Sequence, residues 1–201
     1  GKAPPAEAAN RRECGLVVPI GLARDAQGAM YVSEMGSYQL ASLTGLIGDF
    51  LPVSLQLLDD GEDRLLFRQY LQRYHYLGYK VPVVAQLRYF VRSVRPPCPL
   101  LACLLFTSAA WKMAPRDTYI GWNETTRQTN LPLVVNNSRF LILPWVRVPN
   151  LASHILSLAA QQLPADWLAA YQARPVLMET LVDGTRYHGG CYRAANWTEA
   201  G

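Results

Sequence analysis

The stretch that decides the fold is "SRFLILPWVRVPNLASHILSLAAQQLPADWLAAYQARPVLMETLVD", residues 138–183. An apolar run at 138–148 predicts a strand, residues 149–172 carry the apolar spacing of a helix, and a second apolar run follows at 175–183. Two strands joined by a helical crossover pair in parallel within one sheet. The stretch therefore predicts neighbouring parallel strands at 140–148 and 175–183 that separate at one end.

Two residues set the expected limits of the helix between these strands. Asn150 has the side chain of an N-cap and precedes the apolar positions. Pro164 lacks a backbone N–H, so it predicts a break or a restart inside the helix.

The flanking segments extend the same sheet. "VSLQLL" (53–58) predicts a strand, and "DRLLFRQYLQRYHYLG" (63–78) predicts a helix that Gly78 stops. "AQLRYFVRS" (85–93) and "PLLACLLFTSAAWK" (99–112) predict a hairpin around Pro96-Pro97. The fold class expected is α/β (α+β), a central mixed sheet flanked by helices on both faces.

Shorter elements complete the prediction. Pro115 and the run after it suggest a short helix, "RYHGGCYRAAN" (186–196) suggests another, and residues 197–201 begin a further strand. The first fifty residues form an N-terminal extension, Ala/Pro-rich and partly mobile at its start. Within it, turn signals fall at 25–28 and a short helix at 37–51, and the domain itself spans 51–201.

Composition bounds the class of protein. The chain has 201 residues, net charge +4, and sixteen Arg against three Lys. Its four cysteines form no CxxC pair and its three histidines have no ligand spacing, so neither a zinc site nor any other metal site is expected. The length gives no reason for a disulfide framework, and the apolar runs are too short to span a bilayer. We expect a cytoplasmic protein without a membrane partner.

Four stretches carry a resemblance to a known family: "YHYLGY", "FTSAAWKMAPRDTYIGW", "LVVNNSRFLILPWVRVPNLASHIL" and "GGCYRAANW". They closely resemble the DruA family of Druantia anti-phage defence, which also occurs beside transposases. The order of elements resembles the GNAT N-acetyltransferase fold. The likeness covers about residues 51–201, up to the place where the GNAT fold has one more strand. Either this last strand is lacking, or another chain or segment completes the sheet.

The GNAT likeness implies transfer of an acyl group from a thioester or another activated donor to an amine. In that fold "CYRAANW" is similar to the segment whose Tyr lies near the thioester sulfur, and Tyr192 falls on that position. The phosphates of an acyl-CoA would lie at "VRVPNLASH", which has no glycine. A helix start still offers free N–H groups to an anion. The expected donor-binding residues there are Arg147, Asn150, Leu151 and Ser153.

Four residues are candidates for catalysis, each with a structural alternative. Tyr192 would protonate the leaving group, or simply pack. Cys191 would be a nucleophile if the helix start and the nearby Arg186, His188 and Arg193 lowered its pKa, although free cysteines are commonly buried. Glu179, within an apolar strand, would be a general base or half of a buried ion pair.

The fourth candidate, His75, would be a base or the cap of a helix end. For substrate binding the expected residues are a dense aromatic and charged cluster, with Asn137 orienting a polar ligand. Alternatively the cluster forms a solvated helix and Asn137 a turn. The cluster consists of Trp111, Lys112, Arg116, Asp117 and Trp122.

A second function class stays open. Residues 64–95 contain basic but no acidic residues, and Arg88 and Arg92 share a strand face, so this surface could follow a DNA backbone. The chain would then be a non-catalytic or nuclease-type nucleic-acid-binding module. A metal-dependent nuclease would have to use the scattered carboxylates of Asp117, Asp183 and Glu199.

The Gly189-Gly190 pair predicts a tight turn into the short helix. That helix would present Tyr192 to the cleft between the two parallel strands, with Cys191 rotated about 100° away. Arg193 would point to solvent or to an anionic ligand, and Ala194 and Ala195 would pack on the sheet.

Overall fold

A five-stranded mixed sheet organises the computed structural model, which describes residues 21–24, 30–33, 42–59 and 61–201. The strands are β1 (Gly21–Arg24), β2 (Met30–Ser33), β3 (Leu43–Thr44), β4 (Val53–Leu57), β5 (Gln86–Ser93), β6 (Leu100–Ser108), β7 (Val134–Ile142), β8 (Val146–Arg147) and β9 (Leu177–Glu179). The helices are α1 (Ile47–Phe50), α2 (Gly61–Tyr74), α3 (Ala114–Ile120), α4 (Glu124–Asn130), α5 (Leu151–Tyr171) and α6 (Gly190–Ala194).

The main sheet has the strand order β4-β5-β6-β7-β9. Its first three pairings are antiparallel. Of these strands only β5 and β6 are joined by a short connection. β4 and β5 are joined through α2, so the parallel pairing expected across a helical crossover is wrong for them, because the chain returns after α2 to the end of the sheet where β4 finishes, with Leu57 opposite Tyr89. β7 and β9 pair in parallel because helix α5 carries the chain back across the sheet between them. The predicted parallel pairing across the long helix is confirmed, but it lies at residues 134–136 rather than within 140–148, and Val146–Arg147 forms β8 in a separate sheet. The predicted hairpin of β5 and β6 is confirmed. Two small sheets, β1-β2 and β3-β8, complete the described strands.

Helices α2 and α5 cover opposite faces of this sheet. The Phe67 ring of α2 lies 5.8 Å from the Phe90 ring of β5, whereas the hydroxyl of the next residue back, Tyr89, donates to Asp166 of α5 at 2.8 Å. Successive residues of a strand point to opposite faces, so the two helices lie on opposite sides. Both rings of β5 are fully buried, and the predicted α+β class with helices on both faces is confirmed.

The long helix was predicted with a break that it does not have. α5 is continuous through Pro164. The proline removes the hydrogen bond to the carbonyl four residues earlier, that of Ala160, but Ala160 is exposed, so the helix continues without having to bury an unpaired oxygen. Asn150 precedes α5 without capping it through its side chain, because its backbone is left-handed, with φ 62°.

Other boundaries also differ. β7 begins at Val134 and ends at Ile142, and β9 has three residues, because only these pair with a neighbour. No strand forms at 197–201, and within the described residues no strand pairs with the outer edge of β9. The helix predicted at 37–51 is the one turn of α1, preceded by β3, and its first residues, like the turn at 25–28, lie outside the described residues.

One cysteine departs from the sequence-based expectation, which found no reason for a disulfide. Cys98 is disulfide-bonded, whereas Cys103 and Cys191 are free. This disulfide gives no support to the expected cytoplasmic location. Among the described residues, no helix combines the length and the apolarity needed to cross a membrane.

Candidate functional site

The sheet opens between β7 and β9. Their pairing runs from Val134 opposite Leu177 to Asn136 opposite Glu179 and then stops, although β7 continues to Ile142. On its other edge β7 carries an irregularity, because Arg139 faces Leu105 while Asn137 faces Phe106, which leaves Ser138 as an extra residue. β7 therefore bends where its partner leaves it, and a gap forms.

Tyr192 fills the start of this gap. Its hydroxyl donates to Oδ1 of Asn137 at 2.9 Å. Thr180, one residue past β9, donates from Oγ1 to the backbone carbonyl of Asn137 at 3.0 Å, and its oxygen lies 3.4 Å from the phenol oxygen. Burial raises the pKa of Tyr192 to about 12, against a smaller lowering by Thr180, so the phenol stays protonated at neutral pH.

The turn before α6 explains how Tyr192 reaches the gap. Gly189 has φ 64°, a left-handed conformation that costs a residue with a side chain roughly 1–2 kcal/mol. The ring of Tyr192 then meets Trp197 edge-on at 5.1 Å. The prediction that the glycines turn the chain and present Tyr192 to the cleft is confirmed. Ala195 packs on the core as predicted, but Ala194 is exposed.

Cys191 and Arg193 behave differently from each other on this short helix. Burial raises the pKa of the Cys191 thiol, so the expectation that neighbouring cations would lower it is wrong. Cys191 is also not turned away, because it lines the smaller of two cavities beside Tyr192. Arg193 is exposed, as predicted, and lies 3.7 Å from Glu199.

Two cavities meet at Tyr192 and Thr180. The smaller, of about 390 Å³, lies between β7, the end of α2 and the turn at 180–190, and it contains His75, Asn137 and Cys191 in its wall. The larger, of about 940 Å³, lies on the side of α3 and the last residues, and Arg116, Glu179 and Trp197 line it. Tyr192 lines both cavities and so belongs to the wall that they share with residues 180–182 and 187–189.

His75 ends up in the wall of the smaller cavity as a neutral donor. Its Nδ1 accepts the backbone N–H of Leu77 at 3.2 Å, which in the neutral ring leaves the proton on Nε2. Burial, together with the charge of Arg139, lowers its pKa to about 4. His75 is therefore suited to donating a hydrogen bond to a carbonyl oxygen rather than to accepting a proton.

Glu179 belongs to a buried ion network instead of standing alone. Nη1 of Arg116 lies 3.3 and 3.2 Å from its two carboxylate oxygens, and both side chains are almost fully buried. Arg116 also pairs with Asp117 at 2.8 Å, and Arg127 reaches the other oxygen of Asp117 at 3.3 Å. Although partial burial opposes it, these two arginines hold the pKa of Asp117 below its ordinary value. The network fastens α3 and α4 to β9.

The predicted insert cluster divides into a buried part and an outer part. Arg116 lies over the ring of Trp122 at 5.9 Å, and Arg127 lies over Trp111 at the same distance. Trp111 is more than half exposed, and Lys112 is exposed. Arg127 was not predicted as a site residue, although Trp111, on which its guanidinium stacks, belongs to the predicted cluster. Of the cluster residues only Arg116 lines the larger cavity, so the five do not form one ligand surface.

The predicted donor-binding residues at the start of α5 lie outside the smaller cavity. Arg147 and Asn150 are exposed, Leu151 is buried, and Ser153 donates to the carbonyl of Asn150 at 3.0 Å. The first turn of α5 touches the cavity through Ala152 alone. The cation within the cavity wall is instead Arg139 on β7, which the sequence analysis did not identify as a site residue.

Arg88 and Arg92 are half-buried and engaged with side chains. Arg88 donates to the Tyr79 hydroxyl at 3.2 Å and to Gln86 at 2.8 Å, and Arg92 donates to Gln56 at 3.4 Å. DNA binding through this pair stays a prediction. Both guanidinium groups already donate to neighbouring side chains, which disfavours their contact with a phosphate backbone. Across the residues that the structure describes, no group of three His, Cys, Asp or Glu side chains could hold a metal ion.

The comparisons with known proteins bear on the family. The model of the family described as "Druantia protein DruA" matches residues 25–201. The chain belongs to the DruA family. The match extends N-terminal of residue 51, where the recognised likeness began, and so includes much of the predicted N-terminal extension. No curated protein and no solved structure gives a significant match to this DruA-family chain.

Proposed function

We propose that this DruA-family chain is a GNAT-like transferase that moves an acyl group from a thioester, such as acyl-CoA, or another activated donor to an amine. The observation that carries the proposal is the gap between β7 and β9, with the Tyr192 phenol at its start and a cavity on each side. Two adjoining cavities that share Tyr192 in their common wall suit a two-substrate reaction. The family description supports a role in Druantia anti-phage defence, which we place in the cytoplasm.

In this proposal the donor occupies the smaller cavity and the amine enters from the larger one. The amine nitrogen attacks the acyl carbonyl, the bond to the leaving group breaks, and the proton of the amine passes to solvent. The Nε2–H of His75 would donate to the carbonyl oxygen as it gains charge, which is the requirement for stabilising a tetrahedral intermediate. Glu179 is held by Arg116 and contributes as a counterion rather than as a free base.

Tyr192 would act on the leaving group by hydrogen bonding more than by full proton transfer. A thiol has a pKa near 8.5, and the phenol has a pKa of about 12. Complete transfer from the phenol to a thiolate is therefore uphill by roughly 4–5 kcal/mol at 1.36 kcal/mol per pKa unit. A buried neutral phenol that donates to the developing thiolate avoids that cost. To do so it must exchange its present acceptor, Oδ1 of Asn137, for the sulfur.

The test is release of CoA from acetyl-CoA, followed by liquid chromatography and mass spectrometry with a panel of amines. Tyr192→Phe should lower kcat by roughly 10²–10³-fold, the usual effect of removing one hydrogen-bond donor to charge that develops in the transition state. Tyr70→Phe is the matched control, because it also removes one phenol hydroxyl but from an aromatic cluster outside both cavities. It should leave kcat unchanged.

Cys191→Ser distinguishes the competing covalent mechanism. Its raised thiol pKa predicts a mild effect on turnover. If Cys191→Ser abolished turnover while Tyr192→Phe did not, an acyl-cysteine intermediate would be the better mechanism. Absence of turnover with every activated donor, together with no acyl adduct or CoA on the natively purified protein, would overturn the proposal.

A further inference from the structure

Two hydrogen-bond donors, Arg139 and His75, lie close together in the wall of the smaller cavity. Arg139 reaches into its wall from β7, and its guanidinium donates only to backbone carbonyls, those of Gly78 at 3.2 Å and Ser138. His75 beside it uses its acceptor nitrogen on the N–H of Leu77 and keeps Nε2–H as a donor. The charge of Arg139 lowers the pKa of His75, as expected for two side chains that lie close together.

The acidic group in this wall does not neutralise Arg139. Asp183 is the one carboxylate among the described residues that line the cavity. It accepts from the hydroxyl and the backbone N–H of Thr185 and pairs with Arg186 at 3.5 Å. The described residues give Arg139 no ion pair. A half-buried cation without a counterion favours an anionic ligand in this cavity.

The rim of the same cavity is aromatic. The rings of His75 and Tyr76 stack at 4.9 Å, Tyr187 lies 5.3 Å from Tyr76, and the guanidinium of Arg186 lies 5.5 Å above the Tyr76 ring. Tyr76 and Tyr187 leave 37% and 50% of their surface exposed, so their rings are accessible to a ligand. Exposed aromatic rings beside arginines are the surface on which nucleobases stack.

We propose that the smaller cavity binds a nucleoside phosphate, with the phosphate on Arg139 and the base against Tyr187. The volume of about 390 Å³ lies within the range of small-ligand sites. This inference deepens the proposed function and rests on it only for the role of the nucleotide. In that role the nucleotide is the part of the activated donor that holds the donor in the cavity. It also replaces the phosphate site expected at the start of α5, whose residues lie outside this cavity.

Calorimetric titration of the full chain with AMP and with inorganic phosphate tests both halves of the site. Arg139→Met should weaken AMP and phosphate alike by about tenfold or more, the loss of one charge-assisted hydrogen bond, and Arg139→Lys should retain most of the phosphate affinity. Tyr187→Leu should weaken AMP by roughly fivefold or more and leave phosphate unchanged, because it removes only stacking. Arg68→Met, on the exposed side of α2, is the control and should change neither.

Two further measurements identify the source of the nucleotide and test the nucleotide site separately from acyl transfer. A single-stranded oligonucleotide that binds through Arg139 and Tyr187 more tightly than AMP would identify a strand as the source, and the opposite order would identify a free nucleotide. Undetectable AMP binding, or AMP affinity that Arg139→Met and Tyr187→Leu leave unchanged, would overturn the nucleotide site. Thioester turnover measured on the same variants would still test the proposed acyl transfer independently.

Discussion

The Arg116–Glu179 pair allows the sharpest prediction on stability. The two side chains retain only 4% and 9% of their exposed surface, with Nη1 of Arg116 3.2–3.3 Å from both oxygens of Glu179. Breaking a buried pair from one side usually costs 3–5 kcal/mol, because an unpaired charge stays behind. Arg116 keeps Asp117 at 2.8 Å and the carbonyl of Ala110, so we expect about 2 kcal/mol for Glu179→Gln.

Urea unfolding followed by circular dichroism measures this loss. For a chain of this length, about 2 kcal/mol lowers Tm by roughly 4–8 °C. Glu124→Gln is the matched control, because Glu124 also pairs with an arginine, Arg127, at 3.4 Å but is 68% exposed. An exposed pair contributes about 0–1 kcal/mol, so the control should lose little stability.

The double variant Arg116→Met/Glu179→Met extends the test. Replacing both partners by apolar side chains of similar volume removes the unpaired charge, so the double variant should recover much of the stability lost by Glu179→Gln. If Glu179→Gln were as stable as the parent protein but lost its acyl-transfer activity, the counterion role would be refuted. Glu179 would then have to be the general base that its position in an apolar strand first suggested.

Three other predictions concern the walls of the gap. The pKa of His75 falls from its ordinary 6.5 to about 4 on folding, so its contribution to stability is present above pH 6.5 and is lost as the pH falls toward 4. His75→Gln should therefore make the urea concentration at the unfolding midpoint depend less on pH over that range. Gly189→Ala should cost roughly 1 kcal/mol of unfolding free energy because φ is 64° there, whereas Gly190→Ala, where an added methyl meets nothing, should be nearly neutral. Burial raises the pKa of the partly buried Cys191 thiol, so it should react with iodoacetamide at pH 7.5 more slowly than the amino acid cysteine in solution, and faster alkylation would contradict its packing role.

Most elements of the sheet follow from local patterns. The hairpin of β5 and β6 was predicted by two apolar runs around Pro96-Pro97, and the parallel pairing of β7 with β9 by the long helical spacing between them. These patterns depend on period and length, which are properties of neighbouring residues. The boundaries were less well predicted, since the extent of a strand depends on how far its neighbour stays beside it. β9 is short because the chain leaves β7 at Thr180.

The candidate residues show the same division. Tyr192 and its glycine turn were identified from the sequence, because a left-handed glycine and a following helix are local features. Arg139 and Thr180 were missed, because nothing near them in sequence distinguishes them from other strand residues. Arg139 matters because it lies beside His75, and Thr180 matters because it contacts Tyr192. Both contacts join residues that are separated along the chain and meet only in the folded protein.

The sequence by itself determined the α+β class, the family and the turn that carries Tyr192, because composition, periodicity and glycine conformation are set within short segments. Only the tertiary structure decided the chemical state of the side chains. Glu179 is a counterion because Arg116 is folded onto it, His75 is a neutral donor because Leu77 occupies its Nδ1, and the pKa of the Cys191 thiol is raised because the side chain is partly buried. Charge, desolvation and hydrogen bonding act through space between groups far apart in the chain, so they are fixed when the sheet and its helices close around them.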